Sequence, residues 1–381
     1  MLTEQDFIKI EKQAAALYEN LELEIIQEIA KRIANVRYAN TVVLNNVLIG
    51  QEMGIIYQDI IYLVAKYNNQ TYQQVKEIFE EAGAKTIEFD DKIYKNAGLN
   101  PIPFKQSEEM LKLLEATAIK TNLNLNNLTM TTASTSQTAF YNAINTAYME
   151  VSTGVKSYSQ SILNAISSLS KEGTSIIYPS SRKMSLESAV RMNIVTGVNQ
   201  TCGKLQEMRA DELNWDLMEL TAHAGARPSH AEWQGRIVSR SGKPGYLSLD
   251  DIGYWTITGF KGINCNHEWM PFHEGATRTY TDKQLEALKN EKVEYNGQKI
   301  LRYDAMQIQR KIERQIREDK KELAGLQGIL KNTTDNKLIE DTRSQFARHS
   351  LIYKTHQDEL NSFLRQTSFR KDNSRLMISQ K

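Results

Sequence analysis

Apolar residues recur at steps of three or four along the first 33 residues, which places them on one face of a helix. The positions concerned are Phe7, Ile10, Ala14, Leu17, Leu21, Ile25, Ile29 and Ile33. We therefore predict one long amphipathic helix. The segment 41–67 is apolar on more than one face, so we predict a second helix that lies centrally in a bundle.

Helix-capping signals divide the chain that follows. Thr71 has the spacing of a capping box with Gln74, and this predicts a short helix that stops at Gly83. Ser107, followed by two glutamates, predicts the start of another helix, because acidic residues favour the positive end of a helix dipole. Residues 134–170 are typical of two further polar helices.

The segment 225–275 changes character, since Gly, Pro, Trp and His are concentrated there. Four of the six histidines, His223, His230, His267 and His273, lie in or next to it. Short β-type runs at 235–238 and 254–258 stand between glycines. We predict a compact α+β unit with few short strands.

Helical periodicity returns over 303–330 and again over 335–365. The predicted fold class is therefore α+β, predominantly α. We divide the chain into a helical region at 1–175, a compact α+β module at 176–279 and a basic helical region at 280–381.

The net charge is close to zero, with 47 Lys and Arg against 46 Asp and Glu. It is unevenly distributed: the net charge is −5 over 1–175, 0 over 176–279 and +6 over 280–381. The balance excludes a uniformly basic nucleic-acid binder, and the gradient indicates different partners for the two ends.

The number of cysteines and the hydropathy indicate the compartment in which the protein is made. Cys202 and Cys265 are the two cysteines, which excludes a disulfide framework and favours synthesis in a reducing compartment. The beginning of the sequence is charged from Glu4 onward, unlike a signal peptide. The apolar run at 55–65 is far shorter than the ~20 residues that span a bilayer, so we predict no membrane partner.

The candidate metal ligands are His223, His230, Cys265 and His267, because imidazole and thiolate are ligands that Zn²⁺ prefers. Zinc is therefore the candidate cofactor. The spacing fits no common zinc module, and the alternative is that these side chains only make hydrogen bonds in a loop-rich fold.

Two other interpretations concern the same segment. Cys265 with His267 or His230 has the composition of a nucleophile and its base, although no orienting partner is recognisable. Arg227, near His230 and Glu232, can orient a phosphate or a sugar, or it can pair with Glu232 or stack on Trp233 to hold the loop.

Basic residues form a ribbon along the helix predicted at 303–330. They are Arg310, Lys311, Arg314, Arg317, Lys320 and Lys321. Clustered cations are what contact with DNA phosphates requires. Interleaved acids such as Glu313 and Glu318 favour the alternative of a solvated helix face with i, i+4 ion pairs.

Two stretches carry a family resemblance: TAHAGARPSHAEWQG at 221–235 and GFKGINCNH at 259–267. Together with Pro271, Phe272 and Gly275, they resemble the signature of the phage minor capsid protein 2 family, head proteins of tailed bacteriophages and of prophages of Gram-positive bacteria. The segments 185–191 and 303–317 also agree, so the resemblance extends over about residues 1–325.

The resemblance implies a structural, non-enzymatic head-morphogenesis protein. It would lie in the virion head, after assembly in the host cytoplasm, with the portal and major capsid proteins and double-stranded DNA as its partners. The signature residues that we expect to hold the loops in shape are Gly225, Arg227, Pro228, Trp233, Gln234, Gly235, Gly262 and Asn264. We predict no catalytic residue.

The sequence departs from the family at Asn266, where an Arg is common between Cys and His. If that Arg binds a phosphate or a carboxylate, this chain lacks the contact. Two alternative functions stay open: a metal-dependent or nucleotide-handling enzyme module at 221–275, and a non-specific DNA-binding accessory protein.

Overall fold

The computed structural model describes residues 1–18, 20–35, 42–178 and 180–376, and for 42–50 it describes the backbone alone. In these residues the helices are α1 Glu4–Ala16, α2 Leu21–Asn35, α3 Val42–Asn96, α4 Glu108–Ser152, α5 Tyr158–Glu172, α6 Leu186–Glu212, α7 Pro228–Ala231, α8 Asp282–Lys289, α9 Arg302–Asn332 and α10 Asn336–Thr367. The strands are β1 Ser175–Ile177, β2 Lys183–Ser185, β3 Leu217–Leu220, β4 Ile237–Ser239, β5 Trp269–Pro271, β6 Lys292–Tyr295 and β7 Gln298–Leu301. The predicted class, α+β and predominantly α, is confirmed.

The single helix predicted over 7–33 is wrong. The chain forms α1 and α2, and Leu17 closes the end of α1 by donating its N–H to the Ala14 carbonyl. α1 packs on α6 while α2 packs on α9. Apolar spacing did not reveal the break, because both helices direct their apolar faces into one core.

The helix end predicted at Gly83 is also wrong, because α3 continues through Thr71 and Gly83 to Asn96. A Cβ on Gly83 would lie 2.9 Å from Leu114 Cδ1 and 3.0 Å from Leu205 Cδ1. This glycine therefore permits close packing of α3 against α4 and α6. The predicted helix start at Ser107 is confirmed, since α4 begins at Glu108.

The three largest hydrophobic clusters among the described residues organise the fold. The first joins α1 to α6 and also takes in Leu326, Ile329 and Leu338 from the C-terminal helices. The second fills the middle module around Phe260 and Trp269. The third packs the β6–β7 hairpin against α9 and α10. Side chains from the predicted N-terminal and C-terminal regions thus share one core, and the three-region division stays a prediction.

The middle module contains a three-stranded antiparallel sheet in the order β4-β3-β5. Leu217 pairs with Ser239 on one side, and Leu220 pairs with Trp269 on the other. The predicted strand at 235–238 is confirmed in β4, but the one at 254–258 is wrong, because this run turns back on itself. Trp255 has a φ of 61°, and a Cβ on Gly259 would lie 2.1 Å from the Gly253 carbonyl oxygen.

Helix α6 connects this module to the N-terminal helices through a buried glutamine. Gln206 donates its Nε2 hydrogens to the carbonyl oxygen of Trp269 at 2.7 Å and to Asp90 Oδ2 at 2.8 Å. Asp90 lies on α3 and is completely buried. One amide therefore links α3, α6 and β5, because a buried amide must place its hydrogens on acceptors.

Substitution of Asp90 should change the pH dependence of folding. Burial raises the pKa of Asp90 from 3.8 to about 7, so its contribution to stability is complete below pH 3.8 and is lost as pH rises through about 7. We expect the stability of Asp90→Asn relative to wild type to rise by about 2.6 kcal/mol from pH 5 to pH 8, because about two pKa units separate pH 5 from the folded pKa. Urea unfolding at both pH values measures the difference.

The control for Asp90 is Asp250→Asn, which alters an exposed carboxylate on a turn of the middle module. The free-energy difference between this variant and wild type should be the same at pH 5 and pH 8. If Asp90→Asn behaves in the same way as this control, Asp90 is already ionised in the folded protein at pH 5 and its pKa is not raised.

Candidate functional site

The loop 258–267 carries two of the four candidate ligands, Cys265 and His267, and polar side chains of α6 make hydrogen bonds to its backbone. Asn199 donates its amide hydrogen to the Cys265 carbonyl, and Gln200 donates to the Lys261 carbonyl at 3.1 Å. The Asn264 N–H in turn donates to the Thr196 hydroxyl at 3.2 Å. Side chains thus replace the ladder bonds that this irregular loop lacks, which fixes its position against the helix.

Three of the four predicted ligands converge in the interior. His230 comes from α7, while Cys265 and His267 come from the loop that precedes β5. His230 Nδ1 lies 3.3 Å from His267 Nδ1, and Cys265 Sγ lies 3.9 Å from the same nitrogen. All three residues are buried, and one donor atom from each lies within 4.8 Å of the other two.

His223 lies beside this group but is not one of the three. Its ring centroid is 4.4 Å from that of His267. Its Nδ1 lies 3.1 Å from the Ala224 carbonyl, whereas its Nε2 is buried without a hydrogen-bond partner. His273, the fourth histidine of the segment, is exposed elsewhere and packs near Trp215.

The hydrogen-bond partners determine which ring nitrogens carry protons. His230 Nε2 lies 2.8 Å from the Thr258 carbonyl, which can only accept, so this nitrogen carries a hydrogen. His267 Nε2 lies 3.2 Å from Gln234 Oε1, an oxygen that also accepts the His223 backbone N–H. Both neutral rings are therefore protonated at Nε2, and both Nδ1 atoms present lone pairs.

Burial keeps these groups in their neutral forms. It lowers the pKa of His230 to about 4 and lowers the pKa of His267 well below the usual range. It also raises the pKa of Cys265, so the thiol keeps its proton. A buried, protonated thiol is a poor nucleophile, which weighs against the Cys–His catalytic interpretation.

The signature loop surrounds the histidines. Arg227 donates to the carbonyls of Ile263 at 3.0 Å and Thr258 at 3.4 Å, while Glu232 pairs with Lys289 at 2.9 Å. Pro228 occupies the first turn of α7, where its missing N–H costs nothing. Arg227 therefore fastens the loop 258–263 through its carbonyls.

Other signature residues pack or turn around the same group. Trp233 is buried, with its ring centroid 4.6 Å from His230 and 4.9 Å from His267. Gly225 and Gly235 have φ of 71° and 66°, and a Cβ there would lie 2.5 Å from Met306 Sδ and 2.4 Å from Leu285 Cδ2. Gly262 lies against the Thr256 carbonyl, and a Cβ there would approach its oxygen to 2.3 Å.

The basic ribbon of α9 is divided between the interior and the surface. Lys321 is buried and lies 2.5 Å from Glu22, and Arg317 lies 2.8 Å from Glu187. Lys320 donates to the Leu376 carbonyl at 2.8 Å. Of the six predicted positions, Lys311 and Arg314 are exposed, while Arg310 is partly buried.

A cavity of about 680 Å³ brings the two candidate sites together. His223, His230 and His267 line it from the middle module, and Asn266 lines it beside them. Arg310, Arg314 and Arg317 line it from α9. The histidines and the arginines lie more than forty positions apart in the sequence. The periodicity of apolar residues does not indicate that they meet.

Sequence reasoning missed the most deeply buried charges of the site. Lys261 and Glu268 are fully buried, with Nζ and Oε1 2.9 Å apart. Lys261 also donates to Asn199 Oδ1 at 2.8 Å. Burial raises the pKa of Glu268. One feature of the sequence could have indicated this pair: a Lys and a Glu occur in a stretch that is otherwise rich in Gly and aromatic residues.

Comparison with known proteins shows the family of this chain. A family model described as phage minor capsid protein 2 matches residues 2–364, nearly the whole chain. The chain belongs to this family. The family match covers α1 to α10 as well as the signature loops, so the helical regions are part of what the family shares.

Two phage relatives are similar to this family member. One is described as a structural protein of Lactococcus phage LL-H, 29% identical over 284 residues that cover 70% of this chain and 73% of the relative. Another, a structural protein of Lactococcus phage mv4, is 38% identical over 77 residues, 19% of this chain and about half (52%) of the relative. No solved structure matches. The family and these relatives make it a structural phage head protein, present in the virion.

Among the described residues, no helix combines the length and the apolar character that a membrane crossing requires.

Removal of the Lys261 charge tests the ion pair in this family member. Lys261→Met leaves the Glu268 carboxylate without its cation, so we expect the free energy of unfolding at pH 7 to fall by about 3–5 kcal/mol. Lys261→Met combined with Glu268→Gln should recover at least half of that loss. Urea unfolding followed by circular dichroism measures both.

An exposed ion pair provides the control for this comparison. Lys243 pairs with Glu274 on the surface at 2.7 Å, and Lys243→Met should leave the stability nearly unchanged, because water solvates the remaining carboxylate. Equal stability of wild type and Lys261→Met would contradict the role assigned to the buried pair.

Proposed function

We propose that this protein is a low-copy head-morphogenesis component that attaches to the portal protein through one face of α4 and joins the procapsid in the host cytoplasm. Membership of a minor capsid family supports a partner within the virion. The observation that carries the proposal is an exposed apolar stripe on α4.

Large apolar side chains lie exposed along α4. Ile119, Leu123, Met130 and Tyr141 are 42%, 56%, 42% and 41% exposed. They are separated by 4, 7 and 11 positions, and steps of this length return to within about 40° of one line on an α-helix. These four side chains therefore form a stripe about 30 Å long on one side of the helix.

Such a surface is typical of a protein interface. Scattered exposed apolar residues are ordinary, but an aligned row on a rigid helix marks a contact site. Other side chains of α4, among them Leu114, Leu125, Phe140 and Ile144, are buried in the first hydrophobic cluster, so the helix is held in place. The stripe is thus presented by a fixed element, which lowers the entropic cost of association.

The acidic region that carries the stripe adds a second property. Residues 1–175 have a net charge of −5, which disfavours contact with DNA and favours a protein partner. We therefore assign this face to the portal, with the major capsid protein as the neighbouring partner of the assembled head.

Charge placed on the stripe should prevent incorporation into particles. Leu123→Asp with Met130→Asp puts two carboxylates into the proposed contact, where they would be desolvated without partners. We expect the amount of this protein in purified particles to fall at least tenfold while the free protein remains folded. Quantitative mass spectrometry of particles measures the ratio of this chain to the portal protein.

The matched control is Asn124→Asp with Asn142→Asp. It adds the same charge at two exposed positions of α4 that lie away from the stripe. Incorporation at the wild-type level is expected. Particles that contain the stripe variant at the wild-type ratio to portal would contradict the proposed docking face, and binding of the free chain to isolated major capsid protein but not to portal would reassign the partner.

Contact with DNA is the second candidate, and it rests on Lys311 and Arg314. These are the exposed members of the basic ribbon, whereas Arg317, Lys320 and Lys321 already engage acidic groups or carbonyls of the chain. Two phosphate contacts would give weak, salt-dependent binding.

Neutralising both exposed cations tests this candidate. Lys311→Gln with Arg314→Gln should reduce the slope of log affinity for double-stranded DNA against log salt by about 2, because each lost contact removes about one released counterion. Lys105→Gln with Lys354→Gln removes the same charge from exposed positions elsewhere and should leave the slope unchanged. An unaltered slope in the first variant would remove DNA contact through α9 from the proposal.

The proposal includes no catalytic step. Cys265 is 1% exposed, and burial raises the pKa of its thiol, which makes it a poor nucleophile. The enzyme alternative at 221–275 would need a reactive group in contact with solvent or ligand. The buried histidines are better suited to holding the module together.

A further inference from the structure

In the group formed by His230, Cys265 and His267, the lone pairs of two ring nitrogens face each other with no hydrogen between them. Both Nδ1 atoms present lone pairs, because each Nε2 hydrogen is donated elsewhere. The two lone pairs lie 3.3 Å apart in a buried space. Such a contact is repulsive unless a positive charge lies between the nitrogens.

The separations match those of a four-coordinate metal site. With Zn–N distances of about 2.0–2.1 Å and tetrahedral angles, two nitrogen ligands lie about 3.3–3.4 Å apart, and nitrogen and sulfur ligands lie about 3.6 Å apart. The two Nδ1 atoms are 3.3 Å apart, and Cys265 Sγ is 3.9 Å from His267 Nδ1. Small side-chain rotations would bring the sulfur to bonding distance.

The outer hydrogen bonds have the form that metal-binding histidines require. A ligating imidazole donates its other N–H to a fixed acceptor, which sets the ring orientation. The Thr258 carbonyl does this for His230, and Gln234 Oε1 does it for His267. Arg227 and Asn199 then hold the loop that carries these groups.

We propose that His230, Cys265 and His267 bind one Zn²⁺ ion that fastens α7 to the loop before β5. Zinc is the metal of choice because a thiolate and two imidazoles are borderline-soft ligands in a tetrahedral arrangement. Binding replaces the thiol proton of Cys265, which is released to solvent, so the ion enters as the proton leaves. The role is structural, since all three ligands are buried.

The fourth position belongs to His223 or to a water from the adjoining cavity. His223 Nε2 is buried without a partner, and its Nδ1 faces the Ala224 carbonyl, so Nε2 presents a lone pair. His223, His230 and His267 all line this cavity. The two sources give different results on substitution of His223.

Metal analysis of the full chain tests the site. We expect about one zinc per chain in protein purified without chelator, and a fall in the thermal unfolding temperature after removal of the metal with a strong chelator. Co²⁺ added to the metal-free protein should give the intense visible bands of a four-coordinate ion and a thiolate-to-cobalt charge-transfer band. Cys265→Ser should abolish the charge-transfer band and lower the zinc affinity at least tenfold.

Cys202→Ser is the matched control. Cys202 is also buried, 1% exposed, but lies on α6 outside the group. It should keep the stoichiometry and the cobalt spectrum of wild type, so any loss common to both variants reflects folding, which far-ultraviolet circular dichroism monitors. His223→Ala distinguishes the fourth ligand: a weaker, altered cobalt spectrum assigns it to His223, and an unchanged one assigns it to water.

Two outcomes would overturn the proposal. One is a folded wild-type protein that neither contains zinc nor takes up Co²⁺ into a four-coordinate site. The other is full metal content with an unchanged charge-transfer band in Cys265→Ser, which would place the metal elsewhere.

Discussion

Hydrogen bonds from side chains on α6 to the backbone of the loop 258–267 determine where the candidate ligands lie. Asn199, Gln200 and Gln206 each donate to a carbonyl of the loop or of β5. The loop has few ladder bonds, and buried carbonyls without partners are costly. Because a rigid 27-residue helix supplies these partners, the loop has one position, and Cys265 and His267 are carried into contact with His230.

Buried charge strengthens the same junction. Lys261 and Glu268 are fully buried and paired, and Lys261 also reaches Asn199 on α6. A buried ion pair contributes little net stability compared with apolar packing, but either charge alone would be costly. Any displacement of the loop along α6 would break the Lys261–Asn199 hydrogen bond and the amide hydrogen bonds together. The arrangement therefore favours one register of loop and helix over its neighbours.

The charge gradient along the sequence does not become a simple gradient over the surface. Cations of α9 turn inward, where Lys321 meets Glu22 of α2 and Arg317 meets Glu187 of α6. Acidic N-terminal and basic C-terminal segments thus attract each other within one molecule. The apolar stripe of α4 is therefore the more distinctive feature of the surface. The signature residues of the middle module mainly make contacts within the protein.

Local pattern in the sequence determined much of this protein: its helical class, the start of α4, the extents of α9 and α10, strand β4, and the signature residues that identified the family. Apolar periodicity could not show where α1 and α2 divide, because both halves face one core, nor that Gly83 lies within α3 to permit close packing. The tertiary structure alone decided which polar residues meet. His230 and His267, Lys261 and Glu268, and Lys321 and Glu22 are brought together by the burial of their helices and loops, a long-range effect that spacing along the chain does not encode.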